Sequence, residues 1–367
     1  MIYQALYRKY RPKNFNEIIG QRHIVDTLAN QIKANKIVHA YLFCGSRGTG
    51  KTSIAKIFAR AINCENNVNG SPCEKCNVCK AMNDAANIDI IEIDAASNNR
   101  VDEIREIREK VKFMPINARY KVYIIDEVHM LTDSAYNALL KTLEEPPEHI
   151  VFILATTEPH KLPPTILSRC LRFDFGLISV EELTVHLKNI FKNERIEFDE
   201  ESVKAIASAG EGSVRDTLSI ADSVAAYCEG KISFEKVLDI LNLNNNETLI
   251  ELTNVLFKKD LGKCLEIIDR VYKQGKNMSV FAKDLSVHFR NLLVIKTCNE
   301  PNKILNLPDN LYEKFSAQAK TIESKDLMEA MKIFGNIESE LKYALSPKIL
   351  IETAVISLIL DENIKKN

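Results

Sequence analysis

The sequence predicts a parallel α/β domain followed by two helical parts, and three observations carry that prediction. Up to about residue 175, short β-type runs alternate with segments of helical period, the pattern of a parallel sheet crossed by helices. The run Gly45-Ser46-Arg47-Gly48-Thr49-Gly50-Lys51-Thr52 matches the P-loop pattern, follows an apolar strand and opens a helical segment. After Phe175 the β-type runs fade, and helical spacing continues to the end.

The strand candidates are AYLFC at 40–44, DIIEI at 89–93, KVYII at 121–125, IVFILATT at 150–157 and LRFDF at 171–175. They are apolar continuously rather than at every second residue, as strands covered on both faces must be. Helical faces lie between them: Ser53–Ala61 after the glycine-rich run, then Val101, Ile104, Ile107 and Val111, then Ala135, Leu139 and Leu143. After Phe175 the helical pattern is broken near Gly210–Gly212, at Glu229–Gly230 and in the polar run Asn242–Asn246; the fading of the β-type runs and the last of these breaks place boundaries at about 178 and 243. The expected domains are therefore 1–178 (α/β), 179–242 (small, helical) and 243–367 (all helical). In the last, Leu261, Leu265, Ile268 and Tyr272 share one predicted face, and Leu327, Met331, Phe334, Leu341 and Leu345 mark another helical stretch. The sequence ends at Asn367, and no further domain is expected.

Composition excludes several classes. With 46% hydrophobic and 27% charged residues, there is enough apolar surface for packed cores. A formal net charge of −1 gives no global basic field, so any nucleic-acid contact must come from a local surface or an assembly. No apolar run approaches the ~18 residues of a membrane span, and the N-terminus lacks a signal-peptide core, so a cytoplasmic protein is expected.

The P-loop is the strongest chemical signal. Glycines let backbone N–H groups turn onto phosphate, and the helix N-terminus adds partial positive charge. Gly45 to Thr52, with the following Ser53, are the candidate nucleotide-binding residues; Lys51 is expected to reach the β- and γ-phosphates and Thr52 to ligate Mg²⁺. The strand 121–125 ends in the adjacent acids Asp126 and Glu127. Beside a P-loop, Asp126 reads as the Mg²⁺ partner and Glu127 as the general base for an attacking water. Thr156 and Thr157 close the next strand, where a hydroxyl can bond the γ-phosphate or that water.

Cys64, Cys73, Cys76 and Cys79 offer four thiolates within 16 residues, a set suited to tetrahedral Zn²⁺. An iron–sulfur cluster, which lacks here the usual following cysteine and proline, and inert buried thiols remain the alternatives. A site closed by four cysteines has no open position, so its role is structural or in partner contact. Cys44, Cys170, Cys228, Cys264 and Cys298 show no metal-type spacing and read as core residues, and His129 reads as structural.

Several linked segments resemble the bacterial clamp-loader gamma/tau family: YRKYRPKNFNEIIGQ, HAYLFCGSRGTGKTS, the cysteine cluster, EIDAAS, YIIDEVHML, NALLKTLEEPPEH, ATTEPHKLPPTILSRC and EGSVRDTLS. The match covers nearly all of residues 1–220; beyond about 243 it is one of length and helical character. The resemblance implies an AAA+ α/β domain, a helical lid and a helical collar through which subunits form a pentamer. It implies an ATPase motor of the DNA polymerase III clamp loader that opens the sliding clamp and loads it on primer–template DNA during replication. By matched position, Thr157 corresponds to sensor 1, Arg169 to an arginine finger acting on a neighbour's ATP, and Arg215 to sensor 2. Tyr7, Tyr10, Arg11 and Pro12 correspond to the segment flanking adenine. The implied partners are delta and delta-prime subunits, other gamma/tau copies, the clamp, primed DNA and subunits linked to single-strand-binding protein, with no membrane. Arg100, Lys161 and Thr165 are candidate phosphate contacts for DNA. Rival readings are a branch-migration helicase and a non-hydrolysing scaffold like the delta-prime relatives. The cysteine cluster with Ser168-Arg169-Cys170 opposes the first, and intact Lys51, Thr52, Asp126 and Glu127 oppose the second. No separate acid constellation for nucleotidyl transfer is present, so polymerase chemistry is not expected of this chain.

Overall fold

A computed structural model of the chain describes residues 4–81, 88–97, 109–228, 230–240, 246–305, 307, 309–341, 344 and 346–364. Arg100, the predicted helical positions Val101, Ile104 and Ile107, the break residue Glu229, most of the run Asn242–Asn246, and Leu345 lie outside the described residues.

Five parallel strands, β1 (Ala40–Gly45), β2 (Ile90–Asp94), β3 (Lys121–Asp126), β4 (Ile150–Thr156) and β5 (Leu171–Phe175), form one sheet in the order β2-β3-β4-β1-β5. Successive side chains point to opposite faces, so each inner strand feeds two cores. Leu42, Cys44, Tyr123, Ile125, Phe152 and Leu154 pack on one side with Ala135, Leu139 and Leu143 of the helix Asp133–Glu144. Tyr41, Phe43, Val122, Ile124, Ile153 and Ala155 pack on the other with Ile24 and Leu28 of Arg22–Lys33 and Ile54 and Phe58 of Lys51–Asn63. This double coverage is the physical origin of the unbroken apolar runs. The edge strands β2 and β5 are only partly covered, and both carry polar side chains.

The chain divides into two compact units, 1–241 and 242–367. Besides the sheet, the first contains the helices Val180–Glu194, Glu200–Ala209, Val214–Tyr227 and Phe234–Ile240, packed through Leu187, Phe191, Val203, Ile206 and Leu218. Serine caps start two of them: Ser179 accepts from Glu182 N and Ser213 from Asp216 N, each at 3.2 Å. Such caps satisfy amides that lack an intrahelical partner.

The second unit is helical throughout its described residues, around Leu252, Ile268, Phe281, Leu285, Phe289 and Phe334. Here one predicted face is corrected. On Leu261–Lys273 the buried stripe is Cys264, Ile267, Ile268 and Val271, whereas Leu261 and Leu265 are half-buried and Tyr272 is 53% exposed. Tyr272 turns its ring to the Lys348 ammonium, 5.2 Å from the ring centre, so an amphipathic side chain stays at the surface. The core also holds a polar network: His288 Nε2 lies 2.7 Å from Gln318 Oε1, and Gln318 donates to Ile250 O and Asn254 Oδ1. Among the described residues no helix is long and apolar enough to cross a membrane.

Candidate nucleotide and metal sites

Because all five strands run in parallel, their C-terminal ends share one edge, and β4 stands between β1 and β3. This edge gathers Gly45 from β1, Asp126 from β3 and Thr156 from β4. Ligands of open α/β sheets bind outside the carboxyl ends of strands.

The loop from β1 reaches its helix through left-handed turns. Gly48 lies at φ +76, where its carbonyl accepts from Val214 N at 3.1 Å and an added Cβ would fall 1.9 Å from Ser213 Oγ. Gly50, at φ +101, has no atom within 4 Å of where a Cβ would stand, so its backbone faces open space just ahead of the helix Lys51–Asn63. That is room for an anion at a helix N-terminus. Lys51 is buried and folds back over the loop, donating to Gly45 O at 2.7 Å and Ser46 O at 2.9 Å. Burial lowers its pKa, while Glu127 and Asp126 oppose the shift. Thr49 closes the turn by donating to Ser46 O at 2.8 Å; Ser46 and Arg47 are exposed.

The acids meet the loop directly. Thr52 Oγ1 donates to Asp126 Oδ2 at 2.6 Å, which puts a hydroxyl and a carboxylate together as hard oxygen ligands for Mg²⁺. Glu127 sits at φ +48, unusual for a residue other than glycine. Its Oε2 accepts from Thr157 Oγ1 at 2.9 Å and Thr157 N at 3.3 Å, so the residues that follow β3 and β4 join side by side. His129, expected to be structural, enters this cluster: Nδ1 lies 3.0 Å from Thr156 Oγ1 and 3.4 Å from Glu127 Oε2, and Nε2 lies 3.4 Å from Glu158. The signal for it in the sequence is its place two residues after Glu127, on the short turn Val128–Met130.

Arg215 and the N-terminal segment close the other side. Arg215 lies in the first turn of the helix Val214–Tyr227, whose Val214 N–H donates to Gly48 O, and its guanidinium stands 5.5 Å from the Tyr7 ring centre. Leu6 N donates to Asp222 Oδ2 at 2.7 Å, Arg11 Nε donates to Ser53 Oγ at 3.3 Å, Tyr10 bonds Glu194, and Pro12 is half-buried. Burial and Glu194 push the Tyr10 hydroxyl up to about 12.

Arg169 is not joined to this cluster. It is paired with Glu144 at 2.8 Å and donates to Thr165 O at 2.9 Å. Lys161 is paired with Glu158 at 2.8 Å, and Thr165 is exposed.

The four thiols of Cys64, Cys73, Cys76 and Cys79 lie within 4.8 Å of one another. Sulfur separations of 4.0 Å for Cys64–Cys76 and Cys73–Cys79 approach the edge of about 3.8 Å expected of a tetrahedron with Zn–S near 2.3 Å. Backbone amides of Cys73, Cys76 and Cys79 donate to the sulfurs of Cys64, Cys73 and Cys76, each at 3.3 Å. Amides of Lys75 and Cys76 hold the Cys73 thiol down at about 6, favouring the thiolate that binds metal, whereas burial pushes the Cys64 and Cys79 thiols up. The donor set fits a metal ion. Of the other cysteines, Cys44, Cys228 and Cys264 are buried and Cys170 and Cys298 are partly exposed.

Comparison with known proteins decides the family. The chain is 38% identical over 364 residues to the DNA polymerase III subunit gamma of Buchnera aphidicola (subspecies Acyrthosiphon pisum), covering 98% of this chain and 99% of that one. The chain belongs to the DNA polymerase III gamma/tau family. Three family models match in succession: "DNA polymerase III, delta subunit" over residues 20–178, "DNA polymerase III clamp loader subunit, ATPase lid domain" over 182–230, and "DNA polymerase III subunits gamma and tau domain III" over 232–366. The Bacillus subtilis (strain 168) DNA polymerase III subunit tau is 44% identical over 358 residues. That match takes in 98% of this chain and 63% of the longer relative. A Thermotoga maritima structure titled as a RuvB Holliday junction branch migration motor is 18% identical, with a TM-score of 0.49 over 73% of this chain and 86% of its own. So distant a likeness does not bear on function. Within the gamma/tau family, the sheet with its P-loop is the AAA+ ATPase fold, followed by the lid and a helical C-terminal region.

Proposed function

We propose that this chain is an ATP-hydrolysing motor subunit of a DNA polymerase III clamp loader, which opens a sliding clamp and sets it on primed DNA. The observation that carries the reading is the meeting, at one edge of the sheet, of Lys51, the Thr52–Asp126 pair and the Glu127–Thr157 pair. Residues 1–178 form its ATPase domain, 179–242 the lid and 243–367 the collar that joins it to delta, delta-prime and further gamma/tau copies. A cytoplasmic setting goes with this role.

The division of labour follows from charge and geometry. Lys51 exchanges two neutral carbonyls for phosphate oxygens, a stronger charge-assisted partner. Thr52 and Asp126 would hold Mg²⁺, which would supply positive charge to offset that of the phosphates. Glu127 takes the proton of the attacking water. Among the described residues its contacts all fall on Oε2, which leaves Oε1 to accept from water. Thr157 fixes that carboxylate, and Arg215 and Tyr7 bound the far side of the pocket. Arg169 acts on a neighbouring subunit's nucleotide; its present tie to Glu144 is an exposed ion pair, of a kind that stabilises by only about 0.2–1 kcal/mol and is readily exchanged. The four cysteines hold zinc in a structural site. Glu127→Gln tests the assignment: ATP affinity should stay near wild type while turnover falls by roughly 10²–10⁴. Undiminished turnover would remove Glu127 from the role of base.

A further inference from the structure

The cysteine module is wired to the N-terminal segment of the chain. Cys64 caps the P-loop helix, so the module begins where that helix ends. The following turn brings Ser71 to Phe15, where Ser71 Oγ accepts from Phe15 N at 3.1 Å. Glu74 Oε1 accepts from Asn14 Nδ2 at 2.9 Å. Arg60, one turn before Cys64 on the P-loop helix, donates from its guanidinium to Lys13 O at 2.7 Å. The Phe15–Ser71 bond is buried, so it is sheltered from water and costly to leave unmade, while the bonds of Glu74 and Arg60 are part-buried. Three consecutive residues, Lys13 to Phe15, are thus held by the module and by the helix that leads into it.

The turn itself has little freedom. Val68 and Ser71 exchange backbone bonds at 2.9 Å, Gly70 turns at φ +83, and a Cβ on Gly70 would fall 2.6 Å from Ala29 O of the helix Arg22–Lys33. Two residues beyond Ser71, Cys73 donates its N–H to Cys64 Sγ. A short loop with no core of its own takes its shape from such a cross-link. On the other side, Lys13 continues directly back into Tyr7–Pro12, where Arg11 reaches Ser53 and Tyr7 meets Arg215.

The geometry points to the four-cysteine module as a positioning element of the nucleotide site: Ser71 and Glu74 hold Lys13–Phe15 and thereby set Tyr7–Pro12 against the base end of the nucleotide. This rests on the nucleotide reading proposed above. The module then acts on the half of the ligand that the P-loop does not grip. Loss of its hold weakens adenosine-containing ligands and leaves bare phosphate chains unaffected.

The test uses the full chain, with ADP and inorganic pyrophosphate as calorimetric probes and zinc content measured in parallel. Ser71→Ala removes the acceptor for Phe15 N. The Kd for ADP should rise about three- to fivefold, the worth of one ordinary hydrogen bond. Pyrophosphate affinity and zinc stoichiometry should not move, and Ser71→Thr should restore ADP binding. Amide exchange in residues 7–16 should quicken in the alanine variant. An ADP affinity within twofold of wild type, or an equal loss for both probes, overturns the proposal. If Ser71→Ala does not fold, Glu74→Ala carries the same expectations. Failure of the nucleotide reading looks different: wild type binds neither probe, or Lys51→Ala binds pyrophosphate as well as wild type does.

Discussion

Gly48→Ala is a perturbation whose cost can be worked atom by atom. At φ +76 an alanine pays the left-handed penalty, about 1–2 kcal/mol. Its Cβ would stand 1.9 Å from Ser213 Oγ, so that hydroxyl must rotate away and give up Asp216 N, the cap of the helix Val214–Tyr227. A lost serine cap costs about 1 kcal/mol. Ser213 Cβ at 3.0 Å and Arg215 Cβ at 3.3 Å cannot rotate away, so the helix start must also retreat by a few tenths of an ångström. The sum is roughly 2–3 kcal/mol, felt where the P-loop meets Arg215. Because Ser213→Ala alone already removes the cap, the double variant should be less destabilised than the two singles added, by about 1 kcal/mol. The chain has no tryptophan, so amide exchange over residues 213–218 is a suitable readout, with ADP affinity alongside. Additivity within about 0.4 kcal/mol, the behaviour of uncoupled sites, would refute the argument.

Two further outcomes follow from the same contacts. His129→Ala removes the 3.0 Å partner of Thr156 and the 3.4 Å neighbour of Glu127, and turnover should fall between about ten- and a hundredfold with ADP affinity unchanged; unchanged turnover would return His129 to a purely structural role. His288 is buried in the second unit, and desolvation pushes its pKa down to about 4 from an unfolded value of 6.5. The unfolded chain therefore binds the proton more readily, so this contribution is fully present above about pH 6.5 and is lost as pH falls towards 4. Its size is roughly 3 kcal/mol, and thermal melts at pH 7 and 5 should separate in wild type but converge in His288→Gln.

What the sequence reveals and what it hides divides along physical lines. The buried strands are legible because two covered faces demand unbroken apolar runs, as in IVFILATT. The P-loop is legible because phosphate needs glycines in a fixed spacing. Contacts between strand ends are not, since Glu127 and Thr157 are 30 residues apart and meet only through the order β3-β4-β1. The contacts of His129 are hidden for the same reason: its partners Thr156 and Glu158 arrive with the next strand. In the helical C-terminal unit, period alone places the Leu261–Lys273 stripe one position away from Cys264, Ile267 and Val271. There a cysteine packs like a small apolar residue, and an exposed tyrosine imitates a core one. The bonds from Ser71 and Glu74 to Phe15 and Asn14 leave no pattern in sequence at all, being single polar contacts across 56 and 60 residues.

The most direct test of the central claim is steady-state ATP turnover by the full chain assembled with delta and delta-prime subunits, with and without sliding clamp and primed DNA. Wild type should be stimulated strongly by both together. In Arg169→Ala that stimulation should disappear, by roughly 10³-fold or more if the arginine serves as a finger, while ATP still binds. Turnover that ignores clamp and DNA, or that survives the loss of Arg169, would contradict a clamp loader firing through sites shared between subunits.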